Sequence, residues 1–186
     1  MSDLSAKKLW KYVNPDVESS YRENDLGMTL YYEVLKHRPK IIIEFGVLNG
    51  YSTIAMALAL KRIGKGKIIG YDLWEKYPYK HTTKENAIEN LKRYGVDDIV
   101  ELKEKDFHEW EYEDCDEIHL DISNTAEIID EIAKKVKGRA VVLFEGGTYE
   151  RDNVEWMKKY NKKKIRDSKF LFNVINSKFP SISKLC

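Results

Sequence analysis

The sequence predicts a doubly wound α/β fold: an open, mostly parallel sheet with helices on both faces and an antiparallel strand pair near the C-terminal end. Three observations carry this. Short aliphatic runs without polar alternation, the pattern of strands buried on both faces, recur along the chain. Stretches of helical periodicity separate them, and glycines mark the change from one to the other. Crossovers of this length join parallel strands right-handedly and place the helices on both faces, and ligands in such sheets bind outside the carboxyl ends of the strands.

The elements follow in order. Residues 28–37 read as a helix with Leu30, Val34 and Leu35 on one side, after a segment around Tyr21, Arg22 and Asp25. Residues 1–39 thus form an N-terminal helical cap segment ahead of the sheet. Residues 40–45 hold Ile41, Ile42 and Ile43, a first buried strand that breaks at Gly46, and 51–63 form an apolar helix stopped by Gly64 and Gly66. A second strand, 67–71, ends at Asp72. Residues 83–94 then read as a helix with Ala87, Ile88 and Leu91 inward. Strands at 99–102, 117–120 and 140–144 alternate with a helix at 125–136. A helix at 153–160 precedes the tail 170–185, where two apolar runs form the terminal strand pair.

With 186 residues, 42% of them hydrophobic and 34% charged, the chain has the composition of one globular domain spanning 1–186, not of a disordered or collagen-like segment. A formal charge of +1 gives no global field for a polyanion, so no nucleic acid is expected as partner. No apolar stretch is long enough to span a bilayer, and the residues after Met1 lack the apolar run of a signal peptide. Cys115 and Cys186 make neither a disulfide framework nor a zinc site, which with the missing leader predicts a cytoplasmic location.

The sharpest local signal is Glu44-Phe45-Gly46-Val47-Leu48-Asn49-Gly50-Tyr51-Ser52, at the turn from the first buried strand into a helix. A dinucleotide loop places a glycine where Leu48 stands, so a pyrophosphate ligand and a nicotinamide-dependent dehydrogenase are disfavoured. The Gly-Lys-Ser/Thr ending of a triphosphate loop is missing as well. An acid two residues before a glycine, and a second glycine four further on, suit a ligand with a cationic amine and no phosphates. Asp72 ends the second strand, where open α/β nucleoside sites carry a carboxylate for ribose hydroxyls. Asp106 follows the third strand within reach of the same crevice. Acids after three successive strands point to a positively charged, nucleoside-bearing small molecule.

On these residues the chain resembles the class I S-adenosylmethionine-dependent methyltransferases from about residue 41 to 185, in the variant of the small O-methyltransferases of the catechol type and their sugar- and antibiotic-modifying relatives. The resemblance implies a Rossmann-like methyltransferase fold with S-adenosylmethionine as methyl donor. It implies Glu44, Gly46, Gly50, Tyr51 and Ser52 for the donor loop, Asp72 for the ribose, and Asp106 with Phe107 near the adenine. Trp74 is placed to stack on the adenine face or to pack at the loop mouth.

In metal-dependent relatives an Asp after the fourth strand and an Asp-Asn pair after the fifth supply oxygen ligands to a hard cation such as magnesium. Asp121 matches the first position, whereas the fifth strand ends Glu145-Gly146, with Glu for Asp and Gly for Asn. Asp121 and Glu145 are therefore candidates either for metal ligation or for acid-base and acceptor-binding roles. They are expected in one cavity, at the ends of neighbouring strands. Asn124 stands where sugar-modifying relatives carry a histidine and cannot take up a proton. His119 reads as a core histidine, and His81 and His108 as loop residues. The expected acceptor is a small molecule with a hydroxyl, met by residues before Lys40, by 74–82 and by 146–153, where Trp74, Tyr77, Tyr79 and Tyr149 suit a flat or sugar-like ligand. A homo-oligomer is compatible with this reading. The altered ligand set also leaves a non-catalytic binding or assembly module with the same fold as the alternative.

Overall fold

The computed structural model describes residues 13–78 and 81–186. Residues 1–12, at the start of the cap segment, and Tyr79, named as an acceptor-side aromatic, lie outside the described residues.

The strands are β1 (Ile41–Phe45), β2 (Lys67–Asp72), β3 (Val100–Glu104), β4 (Glu117–Leu120), β5 (Val141–Glu145), β6 (Phe172–Asn176) and β7 (Ile182–Leu185). They form one sheet in the order β3-β2-β1-β4-β5-β7-β6. The first five are parallel, and β7 runs antiparallel to both β5 and β6. The fold is thus the expected mostly parallel sheet with a C-terminal antiparallel pair. Strand order reverses between β1 and β4, which places the crevice of a doubly wound sheet at the carboxyl ends of those two strands.

The helices are α1 (Leu26–His37), α2 (Tyr51–Ile63), α3 (Lys84–Arg93), α4 (Ala126–Val136) and α5 (Glu155–Lys159). Alternation along the strands divides the core in two. Ile42, Ile68 and Leu143 face α1 and α2, while Ile43, Phe45, Ile69, Val142 and Phe144 face Ile129, Ile132 and Val136 of α4. All of α2 from Tyr51 to Leu60 is buried, because α1 covers the side turned away from the sheet. That explains a run such as Ile54-Ala55-Met56-Ala57-Leu58-Ala59-Leu60, which has no polar face. Gly64 ends the helix at φ +83°, with its N–H on the Leu60 carbonyl. Thr83 caps α3 by accepting from the Asn86 N–H at 3.2 Å.

Predicted and observed boundaries differ by a residue or two, except at the last helix. Residues 153–160 were expected to be helical throughout, but Arg151–Asn153 form a 3-10 turn and α5 has only the five residues from Glu155. The buried Asp152 accounts for the break. Its carboxylate accepts from the N–H groups of Ile165 and Arg166 and pairs with the Arg166 side chain, tying this turn to the following loop.

Candidate active site

At the carboxyl ends of the parallel strands lies a cavity of about 700 Å³. Its floor comes from the loop after β1, its sides from the residues after β2, β3, β4 and β5, and its outer rim from Glu18, Ser19 and Ser20 of the N-terminal segment. Five carboxylates (Glu18, Asp72, Asp106, Asp121 and Glu145) face it against Lys105 and Arg151. That excess of acid favours a cationic ligand.

The β1 loop is shaped by two different needs for glycine. Gly46 has φ +86°, and a Cβ there would come within 2.6 Å of the Asp121 carbonyl carbon, so the loop crosses the end of β4 at backbone contact. Gly50 has a nearly identical φ of +88°, but the nearest atom to a Cβ there is 3.8 Å away. Only conformation requires the second glycine.

Asp72 organises the floor. Its Oδ2 accepts from the N–H groups of Val47 and Leu48, each at 2.8 Å, and its Oδ1 from those of Leu73 at 2.7 Å and Trp74 at 2.9 Å. Those four bonds match the roughly four lone-pair sites of a carboxylate. They also hold Leu48 at φ +51° and Trp74 at φ +38°, a region that bulky side chains avoid. A single aspartate thereby clasps the ends of β1 and β2.

Of the residues expected around the donor, Gly46, Tyr51, Ser52, Asp72, Asp106 and Phe107 line the cavity. Glu44, Gly50 and Trp74 are not among the lining residues. Glu44 is fully buried on the α2 face, where it accepts from the Ser52 and Thr53 hydroxyls, each at 2.5 Å, and from His119 Nδ1 at 3.1 Å. It anchors the start of α2 and does not reach a ligand amine in this arrangement. Trp74, expected to stack on an adenine or to pack, packs: it is buried against Val47, Ala87 and Leu102, with its indole N–H on the Leu48 carbonyl at 3.1 Å. The Ser52 hydroxyl is committed to Glu44 and that of Tyr51 to Asn14 Oδ1 at 2.7 Å. Asp106 uses one oxygen on the His108 N–H at 2.7 Å. Phe107 packs edge-on against Phe45.

Asp121 and Glu145 both face the cavity from the ends of adjacent β4 and β5, as their strand positions predict. Each carboxylate is tied to a residue that sequence reasoning missed. Arg151 forks onto Glu145, Nε to Oε1 and Nη2 to Oε2 at 2.8 Å, and both side chains are buried. Burial, with the nearby charge of Asp121, pushes the Glu145 carboxyl up to about 7 against the opposing pull of Arg151. Burial also raises Asp121, while the charge of His119, a hydrogen bond from Tyr21 and the charge of Arg151 hold it back.

The Tyr21 hydroxyl lies between Asp121 and His119, 3.4 Å from His119 Nε2. Burial pulls the His119 imidazole down, but the hydrogen bond and charge of Glu44, then Asp121 and Glu117, leave it above the usual value. A protonated His119 donates from Nδ1 to Glu44 and from Nε2 to the Tyr21 oxygen, freeing the phenol to donate to Asp121. One buried chain of hydrogen bonds therefore runs from the anchor of the β1 loop to the carboxylate at the cavity wall. His119 is thus a satisfied core histidine, as expected. Asn124 ties the same strand ends together, its amide donating to the Leu120 and Glu145 carbonyls, both at 2.9 Å.

His81 and His108 face the cavity, the latter paired with Glu131 at 3.0 Å. Tyr77 lines it too, with Trp156, Phe179 and Pro180 completing an apolar wall. Tyr149, expected on the acceptor side, is 69% exposed and not part of that wall. Tyr21 is separated from His119 by 98 residues, and Arg151 reaches Glu145 only because Gly146 and Gly147, at φ +110° and +99°, reverse the chain. No periodicity signals either contact.

The sheet order, the glycine loop after β1 and acids at four successive strand ends define the class I methyltransferase fold. Residues 43–145 match the family model described as a methyltransferase domain, and the chain belongs to that family. Among solved structures it is similar to cofactor-bound Rv0187 from MTB (17% identity, 92% of this chain and 82% of that one, TM-score 0.62). It is likewise similar to an O-methyltransferase from Bacillus cereus in complex with SAH (16%, 100% and 92%, TM-score 0.58) and to SAH-bound PaMTH1 of Podospora anserina (16%, 87% and 77%, TM-score 0.57). At these identities the likeness concerns the fold. No curated protein matches the chain. Among the described residues, no helix is long and apolar enough to cross a membrane.

Proposed function

We propose that this protein transfers a methyl group from S-adenosylmethionine to a hydroxyl oxygen of a small acceptor. The observation that carries the reading is the acid-lined cavity at the β1/β4 reversal, in a chain of the methyltransferase-domain family and with the fold of proteins solved with SAH. The residues present fit the donor. Gly46 and the backbone of residues 47–52 form its floor, Asp72 takes the ribose hydroxyls while sharing its oxygens with the loop amides, and Asp106 with Phe107 meets the adenine. Glu44 acts one layer beneath, through Ser52 and Thr53.

When bound, the donor supplies an electrophilic methyl on a sulfonium. The chain contributes position, desolvation and a place for a proton. In-line displacement gains most from holding the nucleophile against the methyl and excluding water. Asp121, with its carboxyl raised above its ordinary value and directed by Tyr21, is assigned to receive the acceptor's proton as the oxygen–carbon bond forms and the carbon–sulfur bond breaks, the electron pair passing to sulfur. Tyr77, His81, Trp156 and Phe179 enclose the acceptor.

The reading treats 1–186 as one domain with 1–39 as its cap, acting in the cytoplasm on a small molecule and not on nucleic acid. The test is mass spectrometry of hydroxylated small molecules incubated with donor and protein. Methylated product that vanishes in Asp121→Asn supports the reading. Donor binding without product across acceptor classes, or without slow donor breakdown, contradicts it.

A further inference from the structure

The acceptor end of the cavity does not fit a divalent cation. The resemblance puts such an ion between the acid after β4 and an Asp-Asn pair after β5, yet here both oxygens of Glu145 are held by the Arg151 guanidinium. The Asn position is Gly146, at φ +110°, where a Cβ would run into Ile165 Cδ1 and lie 3.2 Å from Arg151 Cγ. The space and charge that a third ligand and an ion would need are taken by the Ile165 and Arg151 side chains. Arg151 is only 5% exposed, lies over the Trp156 ring at 5.1 Å, and gives a further N–H to Met157 Sδ at 3.2 Å. A guanidinium has five N–H donors. The two on Glu145 and the one on Met157 leave two without a partner among the described residues.

We propose that Arg151 is the acceptor-binding cation of this site: locked onto Glu145, its guanidinium stands in for the divalent ion of metal-dependent relatives and donates its remaining N–H groups to the acceptor oxygen. The acceptor part of this statement rests on the function proposed above. Because Glu145 and Asp121 both lie against Arg151, a carboxylate or phosphate there would meet two acids beside the one guanidinium. The site suits an uncharged, hydroxyl-bearing acceptor, which an always-charged fork can orient without being discharged.

Manganese(II) chloride is the probe, titrated into the whole protein with and without S-adenosylhomocysteine and followed by water-proton relaxation and thermal shift. The wild-type protein is expected to bind none saturably, and its turnover to be indifferent to chelator. Arg151→Met, which keeps the bulk and removes the guanidinium, is expected to lose about tenfold or more in kcat/KM through a raised acceptor KM, and to keep its affinity for S-adenosylhomocysteine. Wild-type manganese binding that Asp121→Asn removes would overturn the proposal. So would a folded Arg151→Met protein that keeps its acceptor KM. If Arg151→Met does not fold, Arg151→Lys, which keeps the charge and loses the fork, is read for the same rise in acceptor KM. The metal titration needs neither acceptor nor turnover, so a failed methyltransferase reading, seen as no donor binding, is distinguishable from a failed assignment of Arg151.

Discussion

Gly46 and Gly50 share a backbone conformation and differ in what surrounds it, so replacing each by alanine separates two costs. Both variants force a side chain into the left-handed region, at about 1–2 kcal/mol. For Gly50→Ala that is nearly the whole effect, since the nearest atom to the added Cβ is 3.8 Å away. For Gly46→Ala the Cβ lies 2.6 Å from the Asp121 carbonyl carbon, and what must move is backbone at the junction of β1 and β4. Overpacking of this kind adds about 1–3 kcal/mol or more. Gly46→Ala should therefore be less stable than Gly50→Ala by at least about 1 kcal/mol. Because the displaced group is Asp121, turnover should fall further in Gly46→Ala than its donor affinity does. Urea unfolding of both variants, with calorimetric titration of S-adenosylhomocysteine, reads these effects. Equal stability losses would refute the crossing of Gly46 over Asp121.

Asp72→Ala strips four backbone N–H groups of their acceptor, two of them on residues at positive φ. With water replacing part of what is lost, it should cost about 2–4 kcal/mol and weaken donor binding; unchanged urea midpoints would contradict the clasp. Trp74→Leu should lower stability but leave the Kd for S-adenosylhomocysteine within about twofold, because the indole packs against Val47, Ala87 and Leu102; a large loss of affinity with unchanged stability would restore an adenine-stacking role. Glu145 has a folded pKa raised to about 7, so its contribution is fully present below its unfolded value near 4.3 and is lost as pH rises through 7. His119, also raised, acts in the same direction, fully present below about 6.5 and lost as pH rises through its folded value. Stability measured from pH 5 to 8 should fall with pH, and Glu145→Gln should flatten the slope; a steeper slope in the variant would contradict the assignment.

What could be read from the sequence was what neighbours along the chain determine. Ile41-Ile42-Ile43 before Gly46, and the all-apolar run of α2 before Gly64, carry their strand and helix in their own periodicity. Asp72, Asp106, Asp121 and Glu145 were legible because a parallel sheet brings the carboxyl ends of its strands to one crevice, so position after a strand translates into position at the site. Side-chain direction was not. Glu44 and Phe45 are adjacent, and strand alternation sends one toward α2 and the other to the opposite face. An acid beside the glycine loop thus became a buried anchor. Trp74, two residues past Asp72, turns inward because its own N–H and that of Leu73 both bind the Asp72 carboxylate. Tyr21 and Arg151 acquire their roles only through tertiary approach, and the Arg151–Glu145 ion pair shows in sequence only as Glu for Asp at 145 and Gly for Asn at 146.

Calorimetric titration of the wild-type protein with S-adenosylhomocysteine asks whether the strand-end cavity holds the methyl donor. One site per chain is expected, weakened in Asp72→Ala and retained in Arg151→Met. Absence of heat up to millimolar ligand, confirmed by an unshifted melting temperature, would mean that the cavity holds no such donor.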